Sequence, residues 1–167
     1  MDFRIESHPA MTLTGLPMRT GSERGRAQSE IADFWMRMSG TEAVRKLRQS
    51  IRPGSQIGLA GVCADMEPLS QTFTYVIAIE APADRSGLPD GCVDVTAEAG
   101  TWAIFEAIGP VPSGIQKTFG QIFGAWFVTS GYEHADGPEL EVYPPGDTTS
   151  DDYRCEVWIP VVKGPKG

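Results

Sequence analysis

The sequence predicts an α+β fold. The expected form is a duplicated β-α-β-β unit with pseudo-two-fold symmetry. Its strands make one curved antiparallel sheet, with helices on one face and a central ligand groove on the other. Three observations predict it. Ala27, Ile31, Phe34, Trp35 and Met38 recur at the same helical offsets as Ile115, Phe119, Ile122, Phe123 and Trp126. Each set lines one face of an amphipathic helix. Each predicted helix follows an extended segment and precedes two strand-like runs. Between the two series, residues 81–91 (APADRSGLPDG) carry Pro82, Gly87, Pro89 and Gly91, a clear break.

In chain order, residues 3–16 read as extended, broken at His8-Pro9 and ending near Gly15. The first helix spans 27–38, and a short basic helix follows at 41–49. Arg52-Pro53-Gly54 stops it. Strand-like runs follow at 56–62 and 71–80. The second series has a short strand at 92–96, an extended segment at 101–108, a helix at 115–126, and strands at 139–143 and 153–161. The repeats therefore cover about 1–80 and 92–161, joined by 81–91, within one domain of 167 residues. Residues 162–167 are read as a frayed tail.

Composition excludes several functions. Apolar residues make up 41% of the chain, as in a globular protein, and no apolar run reaches the ~20 residues of a membrane span. The N-terminus lacks the order of a signal peptide, so a cytoplasmic setting is expected. The net charge of −8 opposes direct nucleic-acid binding, which depends on Lys and Arg. Cys63, Cys92 and Cys155 are scattered, and His8 and His134 have no partner at ligand spacing. Neither a metal nor another cofactor is expected. Phosphate-cradling, GxSxG and HExxH motifs do not occur.

Alternation sorts the strand residues by face. Tyr153, Cys155, Val157, Ile159 and Val161 fit under a helix; Arg154, Glu156 and Trp158 point away. Leu140 and Val142 are assigned to the helix side, leaving Glu139, Glu141 and Tyr143 on the other. Phe73, Tyr75, Ile77 and Ile79 share a face whose direction the pattern leaves open. Glu156 is a carboxylate near aromatic residues. It reads as a solvated strand residue, as half of a surface pair with Arg154, as a counter-charge for a cation, or as a general acid or base.

Four blocks carry a family resemblance. They are Gly100-Thr101-Trp102-Ala103-Ile104-Phe105 with Gly109-Pro110; Trp126 with Ser130-Gly131-Tyr132; Gly137-Pro138-Glu139-Leu140-Glu141-Val142-Tyr143; and Glu156-Val157-Trp158-Ile159-Pro160-Val161. In this order they resemble the GyrI-like family, the effector-binding domain of AraC-type and BmrR-type regulators. The resemblance implies a groove between two repeats for flat, hydrophobic, often cationic compounds. It also implies a ligand-contacting glutamate on the last strand, a position matched by Glu156. Trp126 and Tyr143 match aromatic positions, and Trp102 stands where the family commonly has Tyr. Tyr75 and Trp35 are placed in the groove by the overall layout. Phe73 and Trp158, on the faces of Tyr75 and Glu156, complete the candidate ligand-binding set.

The expected function is that of a stand-alone small-molecule binder, a monomer or weak dimer, acting on an aromatic or cationic compound. One alternative is a hydrolase of cyclopropane-containing toxic compounds, with Glu156 and Tyr143 as catalytic residues. Another is a protein-interaction inhibitor acting on a protein partner.

Overall fold

The computed structural model describes residues 1–165. The strands are β1 (Phe3–His8), β2 (Met11–Gly21), β3 (Leu59–Glu67), β4 (Thr72–Glu80), β5 (Val93–Ala97), β6 (Gly100–Ile108), β7 (Tyr132–His134), β8 (Glu139–Tyr143) and β9 (Arg154–Lys163). Helices α1 (Arg26–Met38) and α2 (Glu42–Gln49) separate β2 from β3. Between β6 and β7 lie α3 (Ser113–Gln121), a π turn (Ile122–Trp126) and α4 (Phe127–Ser130). Among the described residues, no helix is long and apolar enough to cross a membrane.

The strands form one antiparallel α+β sheet in the order β1-β6-β9-β8-β3-β4-β2-β5, with β7 beside β9. That order is symmetrical about the β8–β3 junction. Matching β1, β2, β3 and β4 to β5, β6, β8 and β9 turns one end into the other. The outermost strands cross over. β1 pairs with β6, and β5 pairs with β2, so each edge strand belongs in sequence to the opposite half. The 81–91 segment therefore divides the sequence but not the packing.

Local chemistry explains the boundaries. Thr41 caps α2, its hydroxyl accepting from the Val44 amide, and Val44 and Leu47 turn into the core. Gly131, at φ 75°, ends α4 in the left-handed conformation that favours glycine. Residues 56–58 turn instead of starting a strand, because the Ser55 hydroxyl accepts from the Ile57 and Gly58 amides. The frayed tail begins later than expected, since β9 runs to Lys163; residues 166 and 167 lie outside the described residues. β2 also runs on past Gly15, its expected end. Gly15 lies where strands approach closely, and an added Cβ would sit 1.9 Å from the Ile77 carbonyl oxygen.

The second helix departs from its expected pattern at one residue. The Phe127 amide donates to the Ile122 carbonyl, five residues back, which widens the turn. Ile122 and Trp126 stay buried, but Phe123 swings outward and is half exposed.

Both faces of the sheet carry a core. On the helix side, one cluster packs Phe73, Tyr75, Ile77 and Ile79 against α1 and α2. Another packs Phe105, Cys155, Val157 and Ile159 against α3 and the π turn. The opposite face was expected to hold an open groove. At its centre it holds a dense cluster that includes Leu13, Val62, Val76, Trp102, Ile104, Leu140, Val142 and Trp158, and a cavity of about 620 Å³ lies beside that cluster, bordered by His8, Met11, Ile57 and Trp158. The clustered residues come from strands at both ends of the sheet, so the sheet curls until its halves meet. Each fully buried aliphatic or aromatic side chain of this kind contributes about 1.5–3 kcal/mol.

Gly15→Ala should lower stability by ~3 kcal/mol or more, since the Cβ meets backbone that cannot swing aside. Gly120→Ala, with nothing within 4 Å of the added Cβ, should instead raise it by ~0.5–1 kcal/mol. Urea denaturation of the two variants checks both signs.

Candidate functional site

On the helix side, α1 and α3 flank an opening over the midline of the sheet. A cavity of about 590 Å³ lies there. Ala27, Ile31 and Trp35 wall it from α1, and Ile115 and Phe119 wall it from α3. Glu141 and Tyr143 of β8 reach it from the sheet.

Glu141 is the residue around which the site is built. It is only 7% exposed. Its Oε2 accepts hydrogen bonds from the hydroxyls of Tyr75 (2.7 Å) and Tyr143 (2.9 Å). The Tyr75 oxygen in turn accepts from Nε1 of Trp35 (2.8 Å). Trp35 packs edge-on against Tyr143, with ring centroids 5.4 Å apart. Two phenols, on β4 and β8, thus hold one carboxylate oxygen, and an indole on α1 holds one of the phenols. Among the described residues, no Lys, Arg or His pairs with that carboxylate.

The backbone makes room for this convergence. Glu141 pairs across the midline with Gly61 of β3. A Cβ on Gly61 would lie 2.0 Å from the Tyr75 hydroxyl oxygen and 2.7 Å from Glu141 Oε2. The absent side chain is the space in which the two groups meet.

Burial pushes the Glu141 carboxyl above the ordinary carboxylate range, opposed by the tyrosine hydrogen bonds and assisted by nearby Glu139. Burial likewise pushes Tyr75 and Tyr143 well above the usual phenol value, and the Glu141 charge adds to the rise. Both phenols therefore remain hydrogen-bond donors near neutral pH. The site offers one carboxylate, two hydroxyls and an aromatic wall in a water-poor cleft. Among the described residues, no group of three or more potential metal ligands converges.

The other expected site residues lie elsewhere. Glu156 is on the helix-free face, where it pairs with Arg4 at 2.7 Å and accepts from Trp158 Nε1 at 2.8 Å. Arg154, its anticipated partner, pairs with Glu106. Trp102 and Trp158 stack edge-to-face in the core of that same face. Trp126 is buried against Phe105 and Tyr132. Phe73 is buried on the helix side but does not line the cavity. The structure thus gathers Trp35, Tyr75 and Tyr143 at one point and adds Glu141. Alternation had already put Glu141 and Tyr143 together. The error lay in the direction: Leu140 and Val142 face the helix-free core, and the glutamate faces the helices.

An antiparallel α+β sheet with a carboxylate-floored cleft at its symmetry midline defines an effector-binding type of domain. The model of the Cass2 family, integron-associated effector binding proteins, matches residues 4–161. The chain belongs to that family, in agreement with the GyrI-like resemblance. No curated protein sequence matches it significantly. Among solved structures, SAV2435 bound to tetraphenylphosphonium is 26% identical, with a TM-score of 0.82, covering 97% of this chain and 94% of its own. A protein described as a bacterial transcription regulation protein, from Staphylococcus aureus MU50, is 28% identical, with a TM-score of 0.78 and coverage of 98% and 99%. The integron cassette protein Cass2 of Vibrio cholerae shares the fold at 15% identity, with a TM-score of 0.69 and coverage of 96% and 95%.

Because the folded state raises the Glu141 carboxyl, it favours the protonated form. The associated stability is full below the ordinary carboxylate range, near pH 4, and is lost as pH rises through the raised value. Glu141→Gln should therefore melt close to the wild type at pH 4 and several degrees above it at pH 8. Thermal melts at the two pH values test this. An equal offset at both would show that Glu141 titrates normally.

Proposed function

We propose that the cleft between α1 and α3 binds a hydrophobic aromatic cation, with Glu141 as its counter-charge. The observation that carries this reading is a buried carboxylate with no basic partner. Holding such a group out of water costs several kcal/mol unless a positive charge joins it. A cation entering the cleft would meet the carboxylate and the faces of Trp35 and Tyr143, which add cation–π attraction. The apolar walls on α1 and α3 would supply contact area.

The relative SAV2435, bound to tetraphenylphosphonium, supports a ligand of this class. The net charge of −8 supports a cationic small molecule over nucleic acid. In this reading the protein works in the cytosol, as a monomer or weak dimer. Glu141 takes the counter-charge role first given to Glu156, because Glu156 already has Arg4 as its partner.

Quenching of tryptophan fluorescence by tetraphenylphosphonium tests the proposal. Glu141→Gln should weaken binding at least tenfold while changing affinity for neutral triphenylphosphine oxide less than threefold. Glu156→Gln should leave both unchanged. If Glu156→Gln abolishes binding and Glu141→Gln does not, the site is misassigned. Turnover of a cyclopropane-containing substrate that is lost in Glu141→Gln would replace this reading with the hydrolytic one.

A further inference from the structure

A second cavity, of about 370 Å³, adjoins the first. The two share Trp35, Ser39, Val111, Tyr143 and Thr148, so one aromatic wall serves both. They differ in charge. The main cavity is floored by the Glu141 carboxylate. The smaller one is lined by the guanidinium-bearing side chain of Arg48, from the last turn of α2.

Arg48 shares with Arg37, which lies over the Phe34 ring, the lack of a carboxylate partner among the described residues, and unlike Arg37 it borders the cavity beside the site. Arg4, Arg26, Arg45, Arg52, Arg85 and Arg154 each pair with a carboxylate. Among the described residues, Arg48 makes no ion pair and no side-chain hydrogen bond, although acidic residues outnumber basic ones 22 to 14. The nearby polar groups do not neutralise it. The Tyr153 hydroxyl donates to the Pro144 carbonyl, and the Ser39 hydroxyl donates to the Trp35 carbonyl. Burial pushes the Tyr153 hydroxyl up to about 12, and the charge of Arg48, which lines the same cavity, acts against that rise. The hydroxyl of Thr148 has no hydrogen-bond partner within the protein among the described residues and borders both cavities.

We infer that the two cavities form one bipartite site for a zwitterionic ligand, with an aromatic cation over Glu141 and a carboxylate or similar anion at Arg48. This rests on the cation-binding reading above and extends it. A guanidinium recognises a carboxylate through a two-pronged hydrogen-bonded pair. The shared wall lets one molecule reach both charges. Arg48 is exposed, so its contribution is that of a solvent-screened pair, about fivefold in affinity.

Triphenylphosphonium cations carrying carboxyalkyl arms of graded length, each compared with its methyl ester, test the inference on the full chain. At least one free acid should bind the wild type about fivefold more tightly than its ester. Arg48→Gln should erase that preference while leaving ester affinity within twofold. Glu141→Gln should weaken acid and ester alike. If the esters bind but no acid is preferred, or if the preference survives Arg48→Gln, the bipartite site is overturned and the cation site stands. If no ester binds, the cation-binding reading itself has failed. Salt strengthens the test, since the acid preference should shrink as ionic strength rises and the ester affinity should change less.

Discussion

A carboxylate removed from water without a basic partner is the constraint around which this structure is arranged. Two phenols donate to one oxygen of Glu141, and an indole donates to one of those phenols. Such bonds are shorter and stronger than neutral ones, yet they only partly replace lost hydration. The protein keeps a polar group at a position where a hydrophobic residue would pack at no such cost. A ligand charge that joins the carboxylate recovers part of that energy as affinity. The same energy gives selectivity, because a neutral ligand of equal shape recovers none of it.

The fold supplies this arrangement through its symmetry. The junction of β8 and β3 lies at the centre of the strand order, and Glu141 faces Gly61 across it. The exchanged edge strands β1 and β5 tie each half to the other. Curling packs the centre of the helix-free face into a core, and on the other face the cavity between α1 and α3 opens onto the sheet centre. Trp35 connects the parts. It belongs to the packing of α1, lines both cavities, and orients Tyr75. A change in the seating of α1 would therefore reach the carboxylate through one hydrogen bond.

Much of the architecture was legible in the sequence because it rests on short-range patterns. Helical spacing marked α1 and α3, alternation marked β4, β8 and β9, and Pro and Gly marked the 81–91 connection. The misjudged points depend on long-range packing. Gly15 looks like a stop because its sequence neighbours do not reveal that Ile77 crosses it. Phe123 fits the helical stripe until one wide turn rotates it out. The site was half legible. Trp35, Tyr75 and Tyr143 were among the expected residues, and Glu141 was placed on the same face as Tyr143. Its direction was reversed because Leu140 and Val142, being apolar, were assigned to the helices. A sheet that packs on both faces breaks that rule: apolar residues then mark either side, and a polar residue between them marks where the layers part. Gly61, opposite Glu141, was the available clue.

The account stands on the Glu141 carboxyl being held above its ordinary range and brought down by a bound cation. A carbon-13 NMR titration of that carboxyl, with and without tetraphenylphosphonium, measures this directly. The free protein should titrate above the usual glutamate value of about 4.3, and the complex should titrate clearly below the free protein. An ordinary value that the cation leaves unmoved would contradict the account.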